Sequence, residues 1–284
     1  MKKKTGLILE GGGVRGAYTA GALSWLAEQG IHFDYNVGIS SGAAYLALHL
    51  SGETELAHRM ATEFAVDPKL VGVSAFLKCR HIVDIDRMFK EYLQDEAGYT
   101  IKNLRESDIQ METGVYDLEK GETVFYSNQD FDDELQLLQA GCSLPIASSL
   151  VEFEGRKLLD GGITKMIPIE RALEQNCKKC LIITTKPADY VRKPASKFVC
   201  FLMAVAYRKY PSVLRDYRIR HKNYYKQMKI VRTMVEKGRA LQIAPSETIK
   251  VNRFKGDPEK CEMLYQLGYK DMEARKQEIL EFLS

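Results

Sequence analysis

The sequence predicts an α/β fold: a three-layer α/β/α domain with a mostly parallel central sheet over residues 5–185, then a helical, partly basic C-terminal extension over residues 186–284. Three observations carry that reading. The first fifty residues pass twice through an apolar stretch, a glycine-containing turn and a helical pattern, which is how a parallel sheet with crossover helices begins. Glycine-containing turns follow three apolar stretches, around residues 11–13, 38–42 and 161–162. Beyond Lys186 the pattern changes to helices only, and no internal repeat is visible.

The elements follow in order. Thr5 to Glu10 reads as a short buried strand that runs into glycines and then a helix, Gly16 to Gln29, stopped at Gly30. Phe33 to Ile39 is a second strand, and Ser41 to Leu50, rich in Ala and Leu, a second helix. Glu53 to Gln94 is helical with breaks at Pro68 and Gly72. Ile109 to Asp117 and Thr123 to Ser127 flank Glu119-Lys120-Gly121-Glu122 and predict a hairpin. Phe131 to Ala140 is a short helix, Val151 to Leu159 a strand pair turning at Gly155, Pro168 to Gln175 a helix, and Leu181 to Thr185 a buried strand.

Composition excludes several classes. With 45% hydrophobic and 28% charged residues, 21 Gly, 8 Pro and 6 Cys in 284, the chain is neither low-complexity, collagenous nor a disulfide-stapled mini-protein. Lys2, Lys3 and Lys4 resemble the start of a signal peptide, but Glu10 and three glycines cut the apolar stretch short. Six unpatterned cysteines and no export signal predict a cytoplasmic protein. The net charge of +3 hides an asymmetry: Lys186 to Arg239 holds 15 Lys and Arg against 3 acids, a net +12, which leaves 26 basic and 35 acidic residues, −9, elsewhere.

The first turn, Glu10-Gly11-Gly12-Gly13-Val14-Arg15-Gly16, matches the Gly-x-Gly-x-x-Gly dinucleotide fingerprint between a strand and a helix. A ribose-binding acid would then end the second strand, yet Asp34 stands at its beginning and no Walker-type Gly-Lys-Ser/Thr follows. What the glycines offer is bare backbone N–H groups at a helix N-terminus, where an anion is favoured. The second turn, Gly38-Ile39-Ser40-Ser41-Gly42, is a Gly-x-Ser-x-Gly whose small residues allow a sharp bend that projects Ser40 at the sheet edge. A serine nucleophile needs a base. Of the five histidines (His32, His49, His58, His81 and His221), His49 and His58 fall on predicted helices, and only His221 follows the middle of the chain as a Ser, Asp, His order requires, yet it lies inside the basic segment away from any strand end. The third turn, Asp160-Gly161-Gly162, closes an apolar strand and supplies a carboxylate instead. Beside Ser40, Asp160 makes a Ser-Asp dyad able to perform acyl transfer, and partial desolvation of an Asp makes it a better base.

These three turns, in this order, resemble the patatin-like phospholipase family, with its Gly-Gly-Gly-x-Arg/Lys-Gly loop, Gly-x-Ser-x-Gly elbow and Asp-Gly-Gly/Ala motif, over roughly Gly6 to Thr185. The resemblance implies Ser40 as nucleophile, Asp160 as general base, and the N–H groups of Gly11, Gly12 and Gly13 as the oxyanion hole. It implies Arg15 as a loop-ordering or anion-attracting residue and Gly38, Gly42, Gly161 and Gly162 as turn glycines. Ala140-Gly141-Cys142-Ser143-Leu144-Pro145 resembles a further family block that packs near the site, whereas Lys165-Met166-Ile167 before Pro168 departs from the Asn-rich sequence the family often has there. The implied reaction is hydrolysis of a lipid acyl ester through an acyl-serine, with no metal or cofactor. The alternatives are a nucleotide-dependent oxidoreductase built on the Gly11 loop, or a nucleic-acid-binding protein built on the basic segment, for which no recognition motif is present.

Three further features are expected to matter less or elsewhere. Cys177-Lys178-Lys179-Cys180 lacks the second ligand pair a structural zinc site needs and follows its helix instead of opening one. Phe198 to Tyr207, ten apolar residues, is too short to span a bilayer and reads as a buried helix. After Pro211, Leu214, Tyr217, His221, Tyr224, Met228, Val231 and Val235 form one helix face, flanked by Arg215, Arg218, Lys222, Lys226, Lys229 and Arg232. That stripe is expected to dock on the core and make His221 structural. The flanking charges of residues 186–239 are expected to bring the protein to an anionic, inner membrane surface.

Overall fold

A computed structural model describes residues 4–251 and 257–284; Lys2 and Lys3 lie outside the described residues. Eight strands form one mixed sheet: β1 (Thr5–Leu9), β2 (Tyr35–Ile39), β3 (Met111–Asp117), β4 (Glu122–Ser127), β5 (Val151–Phe153), β6 (Arg156–Asp160), β7 (Lys179–Ile183) and β8 (Ala240–Ile243). The order is β5-β6-β3-β2-β1-β7-β8, with β4 pairing β3. The run from β3 through β2, β1 and β7 to β8 is parallel, and β4, β5 and β6 pair antiparallel with their neighbours. The helices are α1 (Gly16–Glu28), α2 (Ser41–Leu50), α3 (Thr54–Thr62), α4 (Val73–Cys79), α5 (Lys102–Arg105), α6 (Gln136–Cys142), α7 (Ile169–Glu174), α8 (Lys197–Ala206), α9 (Pro211–Glu236), α10 (Pro258–Ala274) and α11 (Lys276–Leu283), with a π-type helix at Arg87–Glu96.

The period of two along β1 sorts the layers. Leu7 and Leu9 pack with residues of α1, α2, α3, α6 and α10, whereas Ile8 packs with Ile169 and Ala172 of α7 and with Tyr224, Met228 and Val231 of α9. The sheet is thus covered on both faces, and the expected α/β/α sandwich stands.

α10 is seated on α1 by glycines rather than by bulk. A Cβ on Gly21 would lie 1.9 Å from the Tyr265 carbonyl oxygen, and one on Gly268 would lie 2.0 Å from that of Tyr18. At this approach, the Tyr18 hydroxyl donates to Asp271 Oδ2 at 2.9 Å and Trp25 Nε1 donates to Glu273 Oε2 at 2.6 Å. Because the obstacle is backbone, Gly268→Ala must separate two helices. Overpacking of this kind costs about 1–3 kcal/mol, so a thermal melt of that variant should show a clear fall in midpoint.

Three sequence readings are corrected. The C-terminal segment is not helical throughout: β8 extends the sheet, with Cys180 opposite Ala240 and Ile183 opposite Ile243. A four-residue strand just after Gly238 carries too little periodicity to register in the sequence. The helix expected at Phe131 to Ala140 begins only at Gln136, because Asp132 accepts from the N–H groups of Gln136 (2.8 Å) and Leu137 (3.1 Å) and holds the chain before it in a turn. The apolar run of α8 is not buried either: only Met203 goes under, while Phe198, Phe201 and Val205 are 68%, 63% and 59% exposed. The α9 stripe does dock, through Tyr224, Met228 and Val231, and the six flanking cations face solvent, although Val235 is exposed and Met234 takes the buried position.

Candidate active site

Strand register brings the serine and the carboxylate together. β2 runs parallel to β3 and ends with Ile39 opposite Gly114. β6 runs antiparallel to β3 and ends with Asp160 opposite Val115. Since β4 occupies the other edge of β3 along this length, β2 and β6 share one edge and meet head to head. Neither strand can continue. The next position for β2 is filled by Asp160, so the chain must turn at Ser40; the next for β6 is filled by Ile39, so it must turn at Gly161. A Cβ on Gly161 would stand 2.4 Å from the Gly114 carbonyl oxygen, which is why that turn requires glycine.

The turn at Ser40 is a strained elbow, with φ 56° and ψ −135°, a conformation side-chain-bearing residues rarely adopt. Gly38 and Gly42 permit it: a Cβ at 38 would lie 2.6 Å from the Ala43 amide nitrogen, and one at 42 would lie 2.9 Å from the Glu10 carbonyl oxygen. α2 starts at once, with Ala43 N–H donating to the Ser40 carbonyl at 2.8 Å, so first-turn N–H groups stand beside the hydroxyl. Asp160, 2% exposed, accepts from Gly162 N–H at 2.6 Å. A Cβ on Gly162 would come within 2.9 Å of Asp160 Oδ1, so a side chain there would push on the carboxylate.

The glycine loop forms the adjoining wall. Gly11 N–H donates to the Met166 carbonyl at 3.2 Å and Gly12 N–H to Ser41 Oγ at 3.1 Å; Gly13, at φ 57°, opens the helical turn leading into α1. Among the described hydrogen bonds Gly13 N–H has no acceptor. Of the three expected oxyanion donors, Gly11 and Gly12 thus hold the loop to Met166 and Ser41 as it stands.

Gly11, Gly12, Gly13, Arg15, Ser40, Asp160 and Gly162 all line one pocket, which no histidine lines. The histidines have other work. His58 Nε2 meets Glu262 at 2.7 Å, burial pushes the His49 imidazole down to about 4, and His221 lies in a neighbouring groove. Asp34 accepts from the N–H (2.7 Å) and hydroxyl (2.9 Å) of Thr5, at the opposite edge of the sheet, and so caps β1 far from the glycine loop. Cys177 and Cys180 are buried free thiols, and among the described residues no cluster of His, Cys, Asp and Glu is placed to hold a metal ion. A second, largely apolar pocket also reaches Ser40 and is lined by Val14, Tyr45, Met60, Leu70, Ile85 and Phe89 among others.

A family model described as patatin-like phospholipase matches residues 7–173, more than half of the chain. The chain belongs to the patatin-like phospholipase family. A model for a domain of unknown function (DUF6363) matches residues 210–284. Uncharacterized protein YjjU of Escherichia coli K12 is 25% identical over 202 residues, covering 66% of this chain and 54% of that protein, so the match spans about half the length of this curated relative. Among solved structures, VipD from Legionella pneumophila superimposes with a TM-score of 0.54 at 13% identity, over 96% of this chain and 66% of that one, a likeness of fold.

On this patatin-like core, α9 contributes what the motifs did not reveal. Gln227, buried, accepts from the N–H groups of Met166 and Ile167, both at 3.1 Å, and donates to the Thr164 carbonyl at 2.9 Å. It braces the Lys165-Met166-Ile167 segment where the sequence departs from the family. Two turns earlier, Arg220 Nε donates to the Gly162 carbonyl at 2.5 Å. Tyr217, Arg220, Tyr224 and Gln227 recur every three or four residues and so share one face of α9. Behind the loop, buried Glu10 pairs with buried Lys186 and accepts from Thr185 N–H at 2.8 Å. Lys186 also donates to the Gly11 carbonyl at 3.3 Å. These groups flank motif ends, Glu10 just before the glycines and Lys186 just after β7, and that position was their only trace in the sequence.

Proposed function

We propose that this protein is a lipid acyl hydrolase working through a Ser40–Asp160 dyad. The observation that carries the reading is the head-to-head meeting of β2 and β6, which leaves a strained serine and a buried carboxylate in one pocket with N–H donors across from them. Ser40 Oγ attacks the ester carbonyl while Asp160 takes its proton. The oxyanion is met by Gly13 N–H and by Gly12 N–H, which exchanges the Ser41 hydroxyl for the stronger charged acceptor. Asp160 returns its proton to the departing alcohol, leaving an acyl-Ser40. Water, deprotonated by the same carboxylate, attacks the acyl carbonyl, and Asp160 passes that proton to the departing Ser40 Oγ as the acid is released. The apolar pocket beside Ser40 suits the acyl chain.

Membrane contact belongs to the same reading. The end of α8 is tied to the pocket wall by Ile146 N–H donating to the Tyr207 hydroxyl at 3.1 Å, between the pocket-lining residues Leu144, Pro145 and Ala147. Ala147 in turn accepts from Val83 N–H at 2.8 Å, and Gly72, just before α4, donates to Ile82 at 2.8 Å. Exposed Phe198, Phe201 and Val205 on α8 and Val73 and Leu77 on α4 therefore flank the site, with basic residues beside them, a combination that favours an anionic bilayer surface. Purified protein should release fatty acid from acyl esters in both soluble and vesicle form. Phe198→Ser with Phe201→Ser should lower the vesicle rate about tenfold while hydrolysis of a short soluble ester persists. Equal loss on both substrates would remove the membrane contact from the account, and no ester hydrolysis by wild type would remove the function.

A further inference from the structure

The Gly11–Gly12 peptide has two sides, and the proposed chemistry uses only one of them. In a planar trans peptide the carbonyl and the N–H point in opposite directions. Gly12 N–H faces Ser41 Oγ at 3.1 Å, next to the nucleophile, so the Gly11 carbonyl faces away from it. What receives that carbonyl is a buried cation. Lys186 Nζ donates to it at 3.3 Å, to Thr185 Oγ1 at 3.2 Å and, most closely, to Glu10 Oε1. Glu10 in turn accepts from Thr185 N–H at 2.8 Å, which fastens the residue before the glycines to the chain leaving β7. Both charges are out of water, Lys186 at 4% exposed and Glu10 at 0%. The peptide has no slack against this clamp, since a Cβ on Gly12 would stand 2.8 Å from Thr185 Oγ1. A buried ion pair joins two segments no better than an apolar pair of the same volume. What the apolar pair lacks is a charge on the Gly11 carbonyl, which polarises the amide and strengthens its N–H as a donor.

We infer that Lys186 is a positioning residue for the oxyanion hole: through the Gly11 carbonyl it fixes the direction of the Gly12 N–H and raises its strength as a donor, with Glu10 as the counter-ion that holds the ammonium in place. The inference rests on the proposed hydrolase reading, in which Gly12 N–H meets the oxyanion. Because that N–H is worth most where negative charge develops, the effect of Lys186 falls on kcat more than on KM. The ammonium also sets a pH limit. Burial pushes it down to about 8, Arg192 and Arg15 push the same way, and Glu10 pulls it up. The rings of Tyr190 and Tyr224, each 5.8 Å from Nζ, face it as well, and burial pushes the Tyr224 hydroxyl upward, out of this range. The charge on Lys186 is therefore present below about pH 8 and lost above it.

Lys186→Met tests this alone and together with Glu10→Gln, a pair that leaves no unmatched charge buried should the single variant fail to fold by thermal melt. On a short soluble acyl ester, kcat should fall about tenfold to a hundredfold, less than the loss of a whole oxyanion donor, while KM stays within about threefold. Wild-type kcat, after subtraction of the Ser40→Ala background, should decline on the alkaline side with an apparent pKa of about 8 while circular dichroism stays level, and the variants should lack that limb. A loss confined to KM, or kcat unchanged in a folded variant, overturns the inference and leaves the hydrolase reading intact. So does a wild-type kcat that stays level from about pH 7 to about pH 10. No ester hydrolysis by wild type removes the hydrolase reading and this inference with it.

Discussion

Ser40→Ala should abolish acyl-ester turnover, with a fall of about 10⁴-fold or more, while the protein stays folded. The serine makes no packing contribution that alanine cannot match at the elbow, so near-wild-type melting is expected alongside the lost rate. A companion variant sharpens the claim. At φ 56° and ψ −135°, any L-residue at position 40 is strained, and such strain costs about 1–3 kcal/mol. Ser40→Gly should therefore be inactive and yet more stable than wild type in chemical denaturation. An inactive variant with unchanged or lower stability would mean that the elbow stores no strain.

Asp160→Asn should be nearly as damaging, about 10³–10⁴-fold on kcat, the scale of losing a general base. The substitution keeps shape and an oxygen to accept from Gly162 N–H, now at 2.6 Å, so the turn has no reason to move. Activity surviving in this variant would transfer the role of base elsewhere, and the pocket lining offers no histidine to take it. Because β6 approaches from the opposite direction to β2, Asp160 reaches Ser40 only through the β3 register. Variants that shift that register should lose activity with both residues intact.

The elbow at Ser40, the Asp-Gly-Gly turn and the layer order were legible in the sequence because each is local: a few residues whose size and backbone freedom dictate one bend. Contacts that join distant segments were not. Arg220 and Gln227 reach residues 162–167 from a helix some sixty positions later, and nothing in the sequence says which turn of an amphipathic helix will face a site. Apolar α8 was misread for a related reason. Composition says that Phe198 and Phe201 avoid water, but not whether the fold has a surface left to cover them. The basic balance of residues 186–239 likewise divides in space: Lys186, Arg192 and Arg220 line the pocket, and Lys222, Lys226 and Lys229 face solvent.

The central claim, that Ser40 is the nucleophile, is met most directly by treating the protein with a fluorophosphonate and following intact mass and then peptide mass. The account predicts one adduct per chain, on the peptide carrying Ser40, absent in Ser40→Ala and suppressed when a hydrolysable acyl ester competes. An adduct confined to another serine, or undiminished labelling of Ser40→Ala, would contradict it.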